Sequence, residues 1–221
     1  MYTTAQLLDL EKTIAAPLFE NTTYPWEVLD NIKNFLLELG PTLPADEYYN
    51  PSEGVWIAHD AKIYPTVWID PPCIIDHGAE VRHGAFIRGS ALVGKNAVVG
   101  NSVELKNVVL FDGVQVPHYN YVGDSVLGYK AHMGAGSITS NVKSDKTPVH
   151  VRQGDEDLDT GRKKFGAIIG DNAEIGCNSV LNPGTVIGRR ASVYPVNSVR
   201  GTVEEDCIYK DKDNIVKRCE K

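Results

Sequence analysis

An aliphatic side chain returns at every sixth position through the middle of the chain. The series comprises Ile57, Ile63, Ile69, Ile75, Val81, Ile87, Val93, Val99 and Leu105, with Phe111 in the tenth place. A second series of mostly small residues stands two positions earlier in each hexad, from Val55 to Val109. No helix has a period of six, whereas hexapeptide repeats are typical of parallel β-helices. The pattern therefore predicts a mainly β solenoid in which each hexad supplies one short strand and one turn.

The repeat is interrupted twice. It is regular as far as Phe111, becomes irregular over 113–121, and breaks again at Asn141. It resumes at Ile169 and continues to Val199. A long loop inside a compact domain is uncommon and is often functional.

Two helices are predicted before the repeat. The first covers 3–15, where Thr3 and Gln6 form a capping-box pattern. The second begins at Pro25, which suits a first helical position, and runs to Leu39.

These patterns divide the chain into three parts. Residues 1–54 form a helical cap and linker, which we expect to cover the open end of the solenoid, because a terminal coil exposes a bare sheet edge. The β-helix occupies 55–202 and carries a loop insertion at 142–166, in which the alternating stretch 149–152 favours a hairpin. Residues 203–221 form a short hairpin and a polar tail.

Composition restricts the possible partners. The chain has 221 residues, a net charge of −7 and a pI near 5.4, which argues against a nucleic-acid partner. The sequence has no apolar run long enough for a membrane span and no signal-peptide pattern at its N-terminus. The cysteines form no CxxC pair, which favours reduced thiols in a cytoplasmic protein. They are Cys73, Cys177, Cys207 and Cys219.

The hexad pattern resembles the hexapeptide-repeat acyltransferases, which fold as a single-stranded left-handed parallel β-helix. The resemblance implies three hexads in each triangular coil, so that residues eighteen apart stack on neighbouring coils. It also implies a crossover hand opposite to the usual right-handed rule.

A basic column follows from this stacking. Arg88 and Lys106 each follow an inward aliphatic residue and are eighteen positions apart. On such a coil they would lie about 4.8 Å apart. Two like charges at that distance repel unless an anion lies against both, and phosphate suits an arginine fork beside a lysine. The alternative is a surface pair of Asp70 and Arg88 beside a solvated Lys106.

A candidate base lies in the irregular segment. His118 is followed closely by Tyr121. An imidazole can take a proton from an amine as the amine attacks a carbonyl carbon, and a phenol can hold a sugar hydroxyl or a phosphate. The alternative is a packed or exposed histidine without a catalytic role.

Residues 85–141 are similar to the acetyltransferase half of the bifunctional bacterial enzymes that acetylate glucosamine 1-phosphate and then uridylylate it. The similarity rests on motifs that keep the spacing of that family. They are Arg88, Gly100-Asn101-Ser102-Val103-Glu104-Leu105-Lys106, His118-Tyr119-Asn120-Tyr121-Val122-Gly123-Asp124 and Gly134-Ala135-Gly136-Ser137-Ile138-Thr139-Ser140-Asn141.

This resemblance implies an acetyl-CoA-dependent N-acetyltransferase that acts on an amino-sugar phosphate without a covalent intermediate or a metal. His118 would be the general base. The residues expected to hold the sugar phosphate are Arg88, Lys106, Tyr121 and His132. The residues expected to contact acetyl-CoA are Ala135, Asn141, Cys177 and Pro195. The family also implies a homotrimer with its sites between subunits.

The sequence departs from the family at several positions. His132 stands where the family has a sugar-binding asparagine, Val142 replaces a tyrosine, and Cys177 replaces a serine. The segment 159–166 is similar to insertions of nucleotidyltransferase-like proteins of this class, and it would either reach a cofactor phosphate or cover a subunit seam.

Two alternatives to the acetyltransferase remain open. The first is a non-catalytic relative of UDP-N-acetylglucosamine pyrophosphorylase that binds a sugar phosphate or nucleotide sugar, because the sequence has no Gly-rich nucleotide loop and residues 1–54 are too few for a doubly wound sheet. The second is a zinc site like that of carbonic anhydrases of this fold, formed by His59, His77 and His83.

Overall fold

The computed structural model describes residues 1–218, and it has the predicted mainly β architecture, a parallel β-solenoid. Strands on successive coils pair in parallel, so that Ile57 lies beside Ile75 and Ile75 beside Val93. These side chains are almost fully buried and form the core inside the coil. The hexad series therefore identified the inward positions.

The strands form three faces, which we call the covered face, the open face and the third face. The covered face contains Val55–Ala58, Cys73–Ile75, Ala91–Val93, Ala167–Ile169, Thr185–Ile187 and Thr202–Val203. The open face contains Trp68–Asp70, Phe86–Arg88, Ile138–Thr139, Val180–Leu181 and Ser198–Val199. The third face contains Lys62–Ile63, Glu80–Val81, Val98–Asn101, Gln115–His118, His132–Met133, Glu174–Ile175, Ser192–Val193 and Cys207–Asp211. Two longer strands, Glu104–Leu110 and Tyr121–Leu127, turn a corner and belong to both the open and the covered face.

The tenth place of the repeat belongs to Leu110 and not to Phe111. Leu110 pairs with Val93, so this hexad is one residue short. The corner that shortens it is a single left-handed residue, Asn107, with φ 54°. Phe111 is nevertheless buried, and its ring packs edge-on against Phe19 of the N-terminal segment.

The N-terminal segment is less helical than predicted. Its α-helices are Thr4–Leu7 and Ile32–Leu39, and its 3₁₀ helices are Leu10–Lys12, Ala16–Phe19, Pro25–Asp30 and Gly40–Thr42. The capping box of Thr3 and Gln6 is present, but it starts a helix of only four residues. The second predicted helix is divided at Asn31 into a 3₁₀ and an α part.

This segment covers a face of the solenoid along its length, so the prediction of a cap on the open end was wrong. The physical reason is a row of apolar side chains that point outward from the covered face. The row consists of Trp56, Ile74, Leu92, Val109, Val126, Ile168 and Val186, and all but Trp56 are fully buried. Helix Ile32–Leu39 packs on Ala91–Val93, and Pro25–Asp30 packs on Tyr121–Leu127.

Hairpins add antiparallel strands at three places. Tyr48–Ser52, predicted as linker, pairs with the first strand of the covered face because Asn50 and its neighbours continue the sheet edge. His150–Gln153 pairs with Glu156–Asp159 inside the insertion, and Asn214–Lys217 pairs with Cys207–Asp211.

Cys219 lies outside the described residues, whereas Cys73, Cys177 and Cys207 are free thiols. No helix among residues 1–218 is long and apolar enough to cross a membrane.

Candidate active site

His118 lies at the corner between the third face and the open face. The residues of this corner stack coil on coil, each carbonyl accepting a hydrogen bond from the turn of the next coil. These bonds run from Tyr119 N to Asn101 O (2.9 Å), Gly136 N to His118 O (3.0 Å), Asn178 N to Ala135 O (2.8 Å) and Val196 N to Cys177 O (2.9 Å). The corner column is therefore His83, Asn101, His118, Ala135, Cys177 and Pro195. Four of the predicted site residues thus lie in one line on successive coils.

The backbone of His118 is fixed, while its imidazole is exposed. The His118 amide donates to Asn120 Oδ1 at 3.1 Å. Asn120 is buried and donates in turn to the carbonyls of Gly134 (2.8 Å) and Ser137 (3.0 Å). The amide of Asn120 therefore ties the coil of His118 to the next one, and the imidazole remains accessible to a ligand.

The open face beside this corner carries Arg88 and Lys106, the residues predicted to bind the sugar phosphate. Arg88 and Lys106 follow paired residues, Ile87 and Leu105, so they stack as the spacing indicates. Arg88 Nη1 lies 2.6 Å from Glu104 Oε1, and both side chains are about 40% exposed, at 43% and 37%. The partner of Arg88 is thus Glu104 and not Asp70.

Lys106 is bound to a buried carboxylate. Its Nζ lies 3.2 Å from Asp124 Oδ1, and the Asp124 side chain is only 5% exposed. Asn107 Nδ2 donates to the same oxygen at 3.0 Å, and Asn141 Nδ2 donates to Oδ2 at 2.5 Å. Asp124 therefore has a donor on each oxygen and holds Lys106 at the corner between the open and covered faces.

Asn141 faces the open face and not the corner column of His118. Besides Asp124, its amide donates to the hydroxyl of Tyr121 at 3.2 Å. Burial raises the pKa of the Tyr121 phenol, and the nearby charges of Asp124 and Glu104 add to the effect. Tyr121 is thus a neutral phenol at physiological pH, with its oxygen oriented by Asn141.

His132 lies on the third face, apart from the other predicted sugar ligands. Its neighbours in register are Gln115 and Glu174, and its Nδ1 lies 2.7 Å from Glu174 Oε2. Within one chain, the structure does not bring His132 together with Tyr121.

The histidines of the zinc alternative do not converge. His77 stands between two carboxylates, with Nδ1 3.0 Å from Asp60 and Nε2 3.2 Å from Glu47. The ring of His59 stacks on Tyr49. His83 lies in the corner column of His118, and its Nδ1 lies 2.9 Å from the carbonyl oxygen of Pro65. Residues 1–218 contain no group of three or more potential metal ligands.

The insertion segment 159–166 contains three consecutive basic residues, and the first of them, Arg162, is used for packing. Arg162 binds Asp30 of the N-terminal segment through both terminal guanidinium nitrogens.

Asp124 and Glu104 are charged residues of the candidate site to which the sequence motifs gave no role. Both stand inside the matched motifs, so a pairing of each with the basic residue nearest in the stack would have identified them.

Comparison with known proteins finds a family match that includes the candidate site residues from Arg88 to Asn141. A family model described as the GMPPB C-terminal domain matches residues 69–152. A bifunctional sugar-1-phosphate nucleotidylyltransferase/acetyltransferase of Sulfurisphaera tokodaii is 39% identical over 93 residues, which is 42% of this chain and 23% of that protein. The bifunctional protein GlmU of Methanococcus aeolicus is 35% identical over 115 residues, which is 52% of this chain and 28% of that protein. The chain thus spans about a quarter of the length of these relatives.

Two solved structures have a distant likeness to the chain. The polySia-specific acetyltransferase NeuO gives a TM-score of 0.49 at 13% identity, covering 72% of this chain and 76% of its own. A hexapeptide transferase family protein from Anaplasma phagocytophilum gives 0.46 at 15% identity, covering 76% and 82%. Likeness at this level does not bear on the chemistry of the site. The chain is a hexapeptide-repeat β-solenoid that is similar, over about half of its length, to bifunctional enzymes of the GlmU type.

Proposed function

We propose that this chain is an acetyl-CoA-dependent N-acetyltransferase that acts on an amino-sugar phosphate, with His118 as general base. The observation that carries the proposal is the corner column, in which an exposed imidazole is followed coil by coil by Ala135, Cys177 and Pro195. Successive coils are about 4.8 Å apart, so an extended acyl-CoA lying along this line would bring its thioester to the histidine.

The reaction needs one base and correct positioning. The amine nitrogen of the sugar bonds to the acetyl carbonyl carbon, and the C–S bond of the thioester breaks. His118 takes the proton that the amine loses and returns it to the departing CoA thiolate. Proximity and general base catalysis together supply the acceleration, with no acyl-enzyme formed.

Arg88 and Lys106 are the proposed ligands of the sugar phosphate. Arg88 is exposed enough for a phosphate to replace Glu104, because an exposed ion pair contributes little to stability. Lys106 would share its remaining donors between Asp124 and the phosphate. Tyr121 would donate its hydroxyl proton to the same ligand.

We also propose a cytoplasmic homotrimer, in which each site uses two chains. His132 and Tyr121 lie on different faces of one chain, so a neighbouring subunit has to supply the His132 of the site. Light scattering of the purified protein tests this: a monomer at working concentration would contradict it.

One observation favours the non-catalytic alternative. Arg88 and Lys106 already have carboxylate partners, and Glu104 and Asp124 offset their charge. A chain with this arrangement would bind a sugar phosphate weakly and without transfer.

The deciding experiment mixes the protein with acetyl-CoA and glucosamine 1-phosphate and follows release of free thiol. The expected result is thiol release that depends on the amine. The same assay with a panel of other amino-sugar phosphates defines the acceptor. Absence of release with every acceptor, together with retained sugar-phosphate binding by calorimetry, would establish the non-catalytic alternative instead.

A further inference from the structure

A groove lies where the 142–166 insertion crosses the corner between the open and covered faces. It consists of two adjoining cavities of about 270 and 140 Å³. Both are lined by Lys143, Pro183 and Arg200, and the smaller also by His150 and Arg152. One wall belongs to the last coils of the solenoid and the other to the insertion.

Two glycines allow the insertion to lie directly on this corner. Gly184 has φ +80°, and a Cβ there would lie 2.5 Å from the carbonyl oxygen of His150. Gly201 has φ +74°, and a Cβ there would lie 3.4 Å from the carbonyl oxygen of Arg152. A side chain at Gly184 would lift the hairpin off the solenoid, so the groove depends on this close approach.

The groove carries a surplus of positive charge in a chain whose net charge is −7. Arg200 has no ion pair or side-chain hydrogen bond to any residue in 1–218. Lys143 Nζ donates to Thr147 at 2.5 Å and lies 3.6 Å from Asp145. Asp145, the carboxylate that lines the larger cavity, thus pairs with Lys143 and not with Arg200.

On the opposite wall, Asp157 is shared between two bases, and Asp159 lies 3.9 Å from one of them, His150. Asp157 lies 2.6 Å from His150 Nδ1 and 2.9 Å from Arg152 Nε. The terminal nitrogens of the Arg152 guanidinium are left to face solvent. Arg152 and Arg200 thus offer planar donor groups from the two walls, and guanidinium groups match the oxygens of phosphate in a bidentate manner.

We propose that this groove binds a phosphate or diphosphate group of a small-molecule ligand, with Arg200 and Lys143 as its principal ligands. Two sources have this chemistry: the phosphates of the acyl-CoA co-substrate, which rests on the proposed function, and a separate phosphorylated metabolite. The groove and the corner column of His118 both border the open face.

The test is calorimetric titration at low ionic strength with inorganic pyrophosphate as the probe. We expect Arg200→Ala and Lys143→Ala each to weaken binding about tenfold, since each loses a charge-assisted hydrogen bond. Arg190→Ala is the matched control, because Arg190 is an exposed arginine paired with Asp206 at a different corner. Circular dichroism verifies that each variant is folded.

The outcome with CoA derivatives identifies the source. If Arg200→Ala weakens CoA binding but not pantetheine binding, the phosphates of the co-substrate occupy the groove. If it weakens pyrophosphate but leaves CoA binding unchanged, a separate phosphorylated ligand occupies it. Wild-type protein that does not bind pyrophosphate, or variants that bind it as well as wild type, would overturn the proposal. None of these binding measurements depends on acetyl transfer. Failure of this proposal can therefore be distinguished from failure of the proposed acetyltransferase activity.

Discussion

The ammonium group of Lys106 lies 3.2 Å from the carboxylate of Asp124, which is buried at the corner between the open and covered faces. The same carboxylate receives the amides of Asn107 and Asn141. Asn107 also donates to the carbonyl of Leu29, and the backbone carbonyl of Asp124 accepts from Gly166. Asp124 and its partner Asn107 thus together join the solenoid to both the N-terminal segment and the insertion.

Asp124→Asn should destabilise the protein by about 2 kcal/mol, because the charge-assisted bond to Lys106 is lost and one amide donor faces another. Urea unfolding measures the difference. Asp70→Asn is the control, since Asp70 is more exposed and accepts from Trp68 at 2.8 Å. We expect it to change stability by less than about 0.5 kcal/mol. Equal effects of the two substitutions would contradict a special role for Asp124.

The sequence predicted the solenoid because its inward positions repeat with a fixed period. The family resemblance also selected His118, Ala135, Cys177 and Pro195 as site residues, but it did not predict that they stack in one corner column. It did not predict that hexads shorten at Asn107, because one left-handed residue removes a position without changing the apolar pattern nearby.

The role of the N-terminal segment was missed for a different reason. The outward residues Ile74 and Leu92 are eighteen apart and apolar, and such a row on a solvent-facing strand is a signal that the face is covered. The pairing of Lys106 with Asp124 was missed although the two residues are eighteen positions apart, because only Arg88 and a phosphate were expected beside Lys106.

Val126→Ala tests the covered face. Val126 points outward from its coil but is fully buried beneath Pro25–Asp30, so we expect a loss of about 2 kcal/mol from removed burial and the cavity left behind. Val98, also outward but on the third face, is only half-buried. Val98→Ala should cost less than about 1 kcal/mol. A loss at Val126 as small as that at Val98 would mean that the N-terminal segment does not shield the covered face in solution.

His118→Ala should lower kcat for acetyl transfer by about 10²- to 10⁴-fold, the usual contribution of a general base. Its melting temperature should be unchanged, because the exposed imidazole makes no hydrogen bond within 1–218. His83→Ala is the matched control, since His83 stands in the same corner column two coils away. An equal loss of kcat in both variants would argue for a structural effect of the column and against a base.

The His77 imidazole gives the protein a specific dependence on pH. Burial alone lowers the pKa of His77, but hydrogen bonds to Glu47 and Asp60 outweigh it, so the pKa is raised. A raised pKa means that folding favours the protonated form. The resulting stability is complete below the ordinary histidine value of about 6.5 and is lost as pH rises through the folded value.

His77→Gln should therefore abolish part of the pH dependence. The free energy of unfolding of wild type minus that of the variant, measured in urea, should be largest below about pH 6.5 and should fall as the pH rises above that value. His59→Gln provides the control, because His59 stacks on Tyr49 without an ion pair to any residue in 1–218. For that variant the difference from wild type should stay constant with pH. A constant difference for His77→Gln as well would show that Glu47 and Asp60 do not hold the imidazolium in solution.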